Sequence, residues 1–216
     1  MPVLVPDPPV PALADAYTDL ATLKAYLGIS VSTYDLMLTQ VLNSASRSID
    51  NYCGRRFWVD TVAVPRLFTG DGSTILDLPD GIGSITDLVI KTDTGSDGTF
   101  ATTWAAGDYQ LLPINAAYAF PEATPWTSIQ ATGSYTFLAA TSARPARVQI
   151  TALWGWPAIP APVIQACLIK ASRLFHRKDS PQGIAGFGDF GPVRLSRTED
   201  ADVEMLLDPY RPISVA

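Results

Sequence analysis

The sequence predicts an α+β protein: a helical bundle of about four helices with a large antiparallel β domain inserted between the second and third main helices. Three observations predict it. Apolar residues recur at helical spacing in two distant stretches, one ending at Gly54 and the other running from Val163 to Lys178. Between them lie about a hundred residues rich in β-branched side chains and turn signals. No helix-length segment separates those strands, which points to an antiparallel sheet and not to βαβ units. Neither helical stripe can be buried alone, so the two stretches are expected to pack on one another while the insertion folds as its own layer. The expected organisation is an extended Pro-rich arm over 1–17, a helical core over 18–56 and 157–208, the inserted β domain over 57–156, and an extended tail over 209–216.

Each element has a local reason. Met1-Pro2-Val3-Leu4-Val5-Pro6-Asp7-Pro8-Pro9-Val10-Pro11 cannot be a helix because of its prolines. The first helix has Thr18 or Asp19 as N-cap, Leu20, Leu23, Tyr26 and Leu27 at helical spacing, and Gly28 just past its end. A second helix is expected from about Ser32, with Asp35 near its positive end, an apolar face through Leu38, Val41, Leu42, Ala45, Ile49, Tyr52 and Cys53, and Gly54 as its stop. After Phe57-Trp58 the period changes. Val59, Thr61, Val62 and Val64 begin a stretch rich in β-branched residues, punctuated by Pro65 and the turn Gly70-Asp71-Gly72, and strands are expected over Thr74 to Leu78, Ser84 to Lys91, Thr99 to Trp104, Tyr109 to Leu112, Tyr135 to Leu138 and Arg147 to Trp154, with Asp93 to Gly98 as a hairpin loop and Pro113 to Pro125 irregular. Pro162 suits the first turn of the third main helix, whose stripe is Ile164, Cys167, Leu168, Ala171, Leu174 and Phe175. A Gly-rich stretch, Ser180 to Pro192, precedes a short acidic helix capped by Thr198 and stopped before Pro209.

Composition excludes some functions. A formal charge of −6 argues against a surface that grips nucleic acid, which needs clustered cations. Cys53 and Cys167 sit inside expected helices at no motif spacing and read as small buried hydrophobes in a reducing compartment. The N-terminus lacks the basic and uninterrupted apolar regions of a signal peptide, and no apolar run approaches the ~20 residues of a membrane span, so a soluble protein made in the cytoplasm is expected.

No candidate chemistry converges. Gly186-Phe187-Gly188-Asp189-Phe190-Gly191 spells G-x-G-x-x-G, but a dinucleotide site needs a strand before it and a helix after it, and here Pro192 follows. Phe187 and Phe190 are instead costly to leave in water, which makes them candidates for contact with a partner protein. His176 is the only histidine and sits at a basic helix end, where a structural role is expected over a triad or a metal site. Asp71, Asp77, Asp80 and Asp87 could approach one another as a carboxylate pair or calcium site, and turn chemistry accounts for them equally. Asp93 to Gly98 lacks the later Glu of a calcium loop. Arg55-Arg56 and the run Lys170, Arg173, His176, Arg177 and Lys178 could contact phosphate, complement helix dipoles, or pair between subunits with Glu199, Asp200, Asp202, Glu204 and Asp208. Trp154 and Trp156, alternating at the strand exit, are expected to cover the junction of sheet and helices.

Four groups of residues resemble a known family. They are Leu20-Ala21-Thr22-Leu23-Lys24-Ala25-Tyr26-Leu27-Gly28, Ala45-Ser46-Arg47-Ser48-Ile49-Asp50-Asn51-Tyr52-Cys53-Gly54-Arg55-Arg56-Phe57, Trp154-Gly155-Trp156-Pro157 followed by Pro160, and Leu206-Leu207-Asp208-Pro209-Tyr210-Arg211. In pattern and order they resemble the head-to-tail connector, or adaptor, proteins of long-tailed bacteriophages, in the larger form of actinobacterial phages. The long β insertion departs from the compact, mostly helical members.

The resemblance implies a structural virion protein and no enzyme: a ring, generally dodecameric, beneath the portal, extending the DNA channel and presenting a platform to the next connector, stopper or tail protein. It implies residence in the head-tail neck after synthesis in the host cytoplasm, with no cofactor, metal or membrane. DNA would pass through without sequence-specific binding, an acidic wall letting it slide. The interface residues expected on this reading are Phe187, Phe190, Arg173, Arg177, Lys178, Glu199, Asp202, Tyr210 and Arg211. A stopper or tail-terminator ring of the same neck fits the same pattern. A β-sandwich recognition module would need Tyr109, Tyr118, Trp126 and Tyr135 on one exposed face, and a carboxylate hydrolase would need two converging acids.

Overall fold

The structure is a computed structural model and describes residues 16–119, 121–179, 184–186, 192–194 and 201–211. The chain divides into two compact units, Met1–Arg55 with Pro160–Ala216, and Arg56–Ile159. The helices lie in the first and the large antiparallel sheet in the second, inserted between the second and third main helices.

In the helical unit, α1 spans Leu20–Leu27 and α2 Asp35–Cys53. Asp19 caps α1 by accepting the Thr22 N–H at 2.7 Å, and Gly28 and Gly54 end the two helices in the left-handed conformation, at φ 68° and 62°. Ser32 does not cap α2. It begins a 3-10 turn, Ser32–Tyr34, and α2 follows from Asp35. Helix α3 is Ala161–His176 with Pro162 in its first turn, followed by a 3-10 turn at Arg177–Asp179. The short helix α4 is Ala201–Leu207, ahead of a 3-10 turn at Asp208–Tyr210. Thr198, its expected cap, lies outside the described residues.

Helix α2 packs on α3, and α1 and α4 complete the bundle. The buried face of α2 is Leu38, Leu42, Ala45, Ser46, Ile49 and Cys53, and that of α3 is Val163, Ala166, Cys167, Leu168, Ala171 and Phe175. Small residues at the centre let the helices approach closely: the Ser46 hydroxyl lies 3.4 Å from the Cys167 sulfur. The same hydroxyl donates to the Leu42 carbonyl and accepts from the Tyr17 N–H, so the buried polar group is satisfied and ties the segment before α1 to the bundle. Within the Gly-rich stretch the described residues form a short hairpin, β7 (Ile184–Gly186) paired with β8 (Pro192–Arg194), where the sequence suggested only a loop.

The β unit is one six-stranded sheet. Its strands are β1 (Val64–Phe68), β2 (Ile75–Thr92), β3 (Thr102–Thr103), β4 (Tyr109–Leu112), β5 (Trp126–Ala131) and β6 (Val148–Trp154). The order is β1-β6-β2-β5-β4, with β3 also on β2. What reads in sequence as two strands, 74–78 and 84–91, is the single strand β2. It pairs with β5 at Ile75 to Ile82 and with β6 at Ile82 to Thr92, and register shifts at Asp77, Ile82 and Ser84 bend it between the two partners.

Other expectations need correction. In the β-branched stretch that begins at Val59 the strand is Val64–Phe68, and Pro65, read as punctuation, is tolerated inside it because β1 is an edge strand. The strand placed at 99–104 is reduced to Thr102–Thr103. Tyr135 to Leu138 is no strand: Phe137 is buried by packing on Trp104, with ring centroids 5.0 Å apart, and its backbone bonds Ser73 and Gly72 outside the ladder. Strand β5 was not legible at all.

The core of this unit is Leu76, Leu78, Ile82, Ile90, Trp104, Ile129, Phe137, Val148, Ile150 and Trp154, with Phe68 and Tyr135 packed against it. Its most constrained backbone is Gly155, at φ 112°, where an added Cβ would lie 2.0 Å from the Trp58 carbonyl oxygen. Only glycine fits there.

Candidate functional site

Two arginines of the β unit are engaged in its structure. Arg56, a candidate phosphate ligand, pairs with Asp60 at 2.8 Å, donates to the Trp154 carbonyl at 3.2 Å and lies 4.0 Å from the centre of the Trp58 ring. Arg66 pairs with Asp80 and lies 4.6 Å over Trp154, whose indole N–H donates to the Val64 carbonyl at 2.7 Å. Phe57 is buried against Trp156, with centroids 5.2 Å apart. Arg56 and Arg66 thus pack with Trp58 and Trp154 inside this unit.

The acidic residues hold turns. Asp71 accepts the Ser73 N–H, Asp80 is taken by Arg66, and Asp87 adopts φ 57° in the bent strand. Asp93 is buried and accepts the N–H groups of Asp97 and Gly98, while Arg147 donates to its carbonyl. The Asp97 carboxyl, held by the Thr99 N–H at 2.7 Å, titrates below the usual carboxylate range. Among the described residues no group of three or more His, Cys, Asp or Glu could hold a metal ion. His176 is exposed, and its ring meets Phe175 edge-on at 5.6 Å.

The expected interface residues fall into two described groups in the helical unit. Arg173, Arg177 and Lys178 are exposed at the end of α3, and the Lys178 ammonium lies 4.7 Å over Tyr34 and 4.5 Å over Phe175. At the other group, Tyr52 of α2 donates its hydroxyl to Asp208 at 2.7 Å, Asp208 meets Arg211 at 3.8 Å, and Arg211 lies 5.1 Å over the Tyr52 ring. The Asp208 bond raises the Tyr52 phenol above its ordinary pKa. Arg211 therefore fastens the turn Asp208–Tyr210 to α2, with Tyr210 half-buried beside it. Asp202 is exposed on α4, which packs on α3 of its own chain. Phe187, Phe190 and Glu199 lie outside the described residues.

Both cysteines are free and buried, and burial pushes the Cys53 thiol up to about 11 and raises that of Cys167.

Two apolar surfaces were missed in the sequence. One is Tyr26, Val31, Tyr34, Leu36 and Met37, exposed around the turn from α1 to α2. The other is an open cavity of about 460 Å³ in the β unit, lined by Ile85, Leu88, Tyr109, Leu111, Ile114 and Trp126 among others. Strand β5, which carries Trp126 and pairs with β4 from Tyr109 opposite Ala131 to Leu112 opposite Ser128, was not anticipated, so this cavity could not be placed from sequence. The four aromatic residues singled out for a recognition face do not all share it. Tyr135 packs on Trp104 and Tyr118 stands 88% exposed in a 3-10 turn.

Fold and surfaces together define a two-unit α+β protein in which Arg56, Arg66, Asp71, Asp80 and Asp93 are engaged in structure and the open features are apolar. No family model matches the chain, and no curated protein matches it. Solved structures do. Over 95% of this chain and 94% of the other, it is similar to a chain in the neck of an empty gene transfer agent (GTA) particle computed with C6 symmetry, at 17% identity and a TM-score of 0.58. Over 97% and 95% it is similar to a chain in the virion of a native GTA particle, at 18% identity and 0.55. Over 97% and 94% it is similar to one in the neck of a native GTA particle computed with C12 symmetry, at 19% identity and 0.51. At these identities the likeness establishes a common fold over nearly the whole chain.

Proposed function

We propose that this chain is a structural protein of the neck of a phage-like particle, a head-to-tail adaptor that forms a homo-oligomeric ring beneath the portal, lines the DNA path and carries no catalytic activity. The observation that carries the reading is the full-length likeness to chains in GTA necks and virion, which covers helical unit and inserted sheet together. The symmetries of those necks, C6 and C12, support a ring, and a ring of identical copies needs two different, complementary surfaces on each copy. The adaptor assignment, as against a stopper or tail terminator, rests on the resemblance of the helix ends and strand exit noted above. A role without reaction is supported by the way Asp71, Asp80 and Asp93 serve turns and ion pairs. A net charge of −6 suits a wall past which DNA slides.

The test is electron microscopy of the purified protein mixed with portal-bearing capsids. A ring of added density on the portal is the expected result. Attachment to isolated tail tubes and not to capsids would replace the adaptor reading with the tail-terminator one, and attachment to neither would overturn both.

A further inference from the structure

We infer that the cavity between β4, β5 and the bend of β2 is the docking groove for the Pro-rich N-terminal arm of a neighbouring copy. The inference deepens the ring reading, because it needs copies held side by side, and names one of their contacts. No charged side chain lines the groove, which is mostly apolar apart from Gln110, with the aromatic residues Tyr109 and Trp126 and two exposed isoleucines, Ile85 at 62% and Ile114 at 64%. Aromatic-walled grooves of this kind take polyproline segments, whose extended form is set before binding and so loses little entropy on docking. Their specificity comes from donors aimed at the peptide carbonyls. Tyr109 lines the groove and its phenol is one such donor.

The chain itself supplies the ligand. Residues 1–11 carry prolines at positions 2, 6, 8, 9 and 11, with Val3, Leu4, Val5 and Val10 between them and Asp7 the single side-chain charge. Residues 1–15 lie outside the described residues, and in polyproline form, at ~3.1 Å per residue, the stretch from Val5 to Ala16 would span roughly 34 Å. That reach is of the order of the length of α2, whose 19 residues make a rod of about 28 Å. The Pro-containing segment at the opposite end, Pro209 to Pro212, carries Arg211, which is held by Tyr52 and Asp208.

Two measurements test this. A labelled peptide of residues 1–11 is titrated into the chain lacking residues 2–11. Saturable binding is expected, weakened about tenfold, or ~1.4 kcal/mol, by Ile114→Asp. It should be unaffected by Tyr118→Ala, an exposed aromatic that does not line the groove. No binding, or equal binding to the Ile114→Asp variant, overturns the groove. In the second, Val5→Cys and Ile114→Cys are combined in the full chain, where the buried native thiols do not compete. A disulfide-linked ladder of copies is expected from the double variant and from neither single one, and a link confined to monomers overturns the exchange between copies. Failure of either leaves the result with portal-bearing capsids untouched, so the arm contact and the adaptor reading stand or fall separately.

Discussion

The two units bury apolar surface in opposite ways. Along the α2–α3 seam the helical unit uses Ala45, Ser46, Ala166, Cys167 and Ala171, small side chains whose value is that the backbones approach. The β unit fills the space under its sheet with Trp104, Phe137, Trp154, Phe68 and Tyr135. A close-packed interior tolerates neither voids nor overfilling, so the first should fail when residues grow and the second when they shrink. All five tryptophans, Trp58, Trp104, Trp126, Trp154 and Trp156, lie in the β unit, so tryptophan fluorescence reports on that unit while ellipticity at 222 nm weights the helices.

The largest effect is expected from Trp154→Ala. It removes a fully buried indole, its hydrogen bond to Val64 and the surface on which Arg66 rests, a loss of about 4 kcal/mol. The urea midpoint followed by fluorescence should fall sharply. Next is Gly155→Ala, which forces a strained φ and a clash with the Trp58 carbonyl, at about 3 kcal/mol by the same probe. In the helical unit the matching change is an enlargement: Cys167→Leu should cost about 2 kcal/mol, read at 222 nm, while Cys167→Ala costs less. If the enlargement is tolerated better than the truncation, the seam is loose and the contrast between the units fails. If every variant moves both probes together, the two units unfold as one.

The contrast also explains what could be read from the chain. Helices α1, α2 and α3 were legible because period and caps agree: Leu38, Leu42, Ala45 and Ile49 fall on one face, and Gly28 and Gly54 stand where a left-handed residue is required. Strand β6 was legible because Val148, Ile150, Ala152 and Trp154 alternate with less buried neighbours. Strand β5 was not, because Trp-Thr-Ser-Ile-Gln-Ala carries little apolar signal and is a strand by virtue of pairing with both β2 and β4. Pro79 and Gly81 look like a break between strands, yet they sit in the bend of one strand. For the surfaces, the charged residues could be named from sequence but their partners could not. That Arg56 serves Asp60, and Arg211 serves Tyr52 and Asp208, depends on contacts no local pattern encodes.

Smaller effects separate the units by pH. Asp19, an exposed cap whose carboxyl is held low chiefly by the Thr22 N–H, stabilises α1 above its unfolded pKa, and that contribution is lost as pH falls through the lower folded value. Asp19→Ala should cost about 1 kcal/mol at neutral pH and flatten the acid limb of the 222 nm stability curve.

The alkaline limb belongs to the other end of the same bundle. Tyr52 donates to Asp208, and its phenol is raised, so the bond stabilises the folded chain fully below the unfolded tyrosine pKa and is lost as pH rises through the folded one. Cys53, pushed up to about 11, adds to the same limb, because an unfolded thiol ionises first. Tyr52→Phe keeps the ring under Arg211 and deletes only the hydroxyl, leaving an exposed Asp208 that water can solvate, so the loss should be small, about 0.5–1 kcal/mol. Its signature is the pH dependence: the variant should approach wild type in stability above pH ~10 and fall below it at pH 7. A constant deficit at both would mean the hydroxyl matters for packing alone, and the turn carrying Tyr210 and Arg211 would then be held to α2 by the cation over the ring and by nothing that titrates.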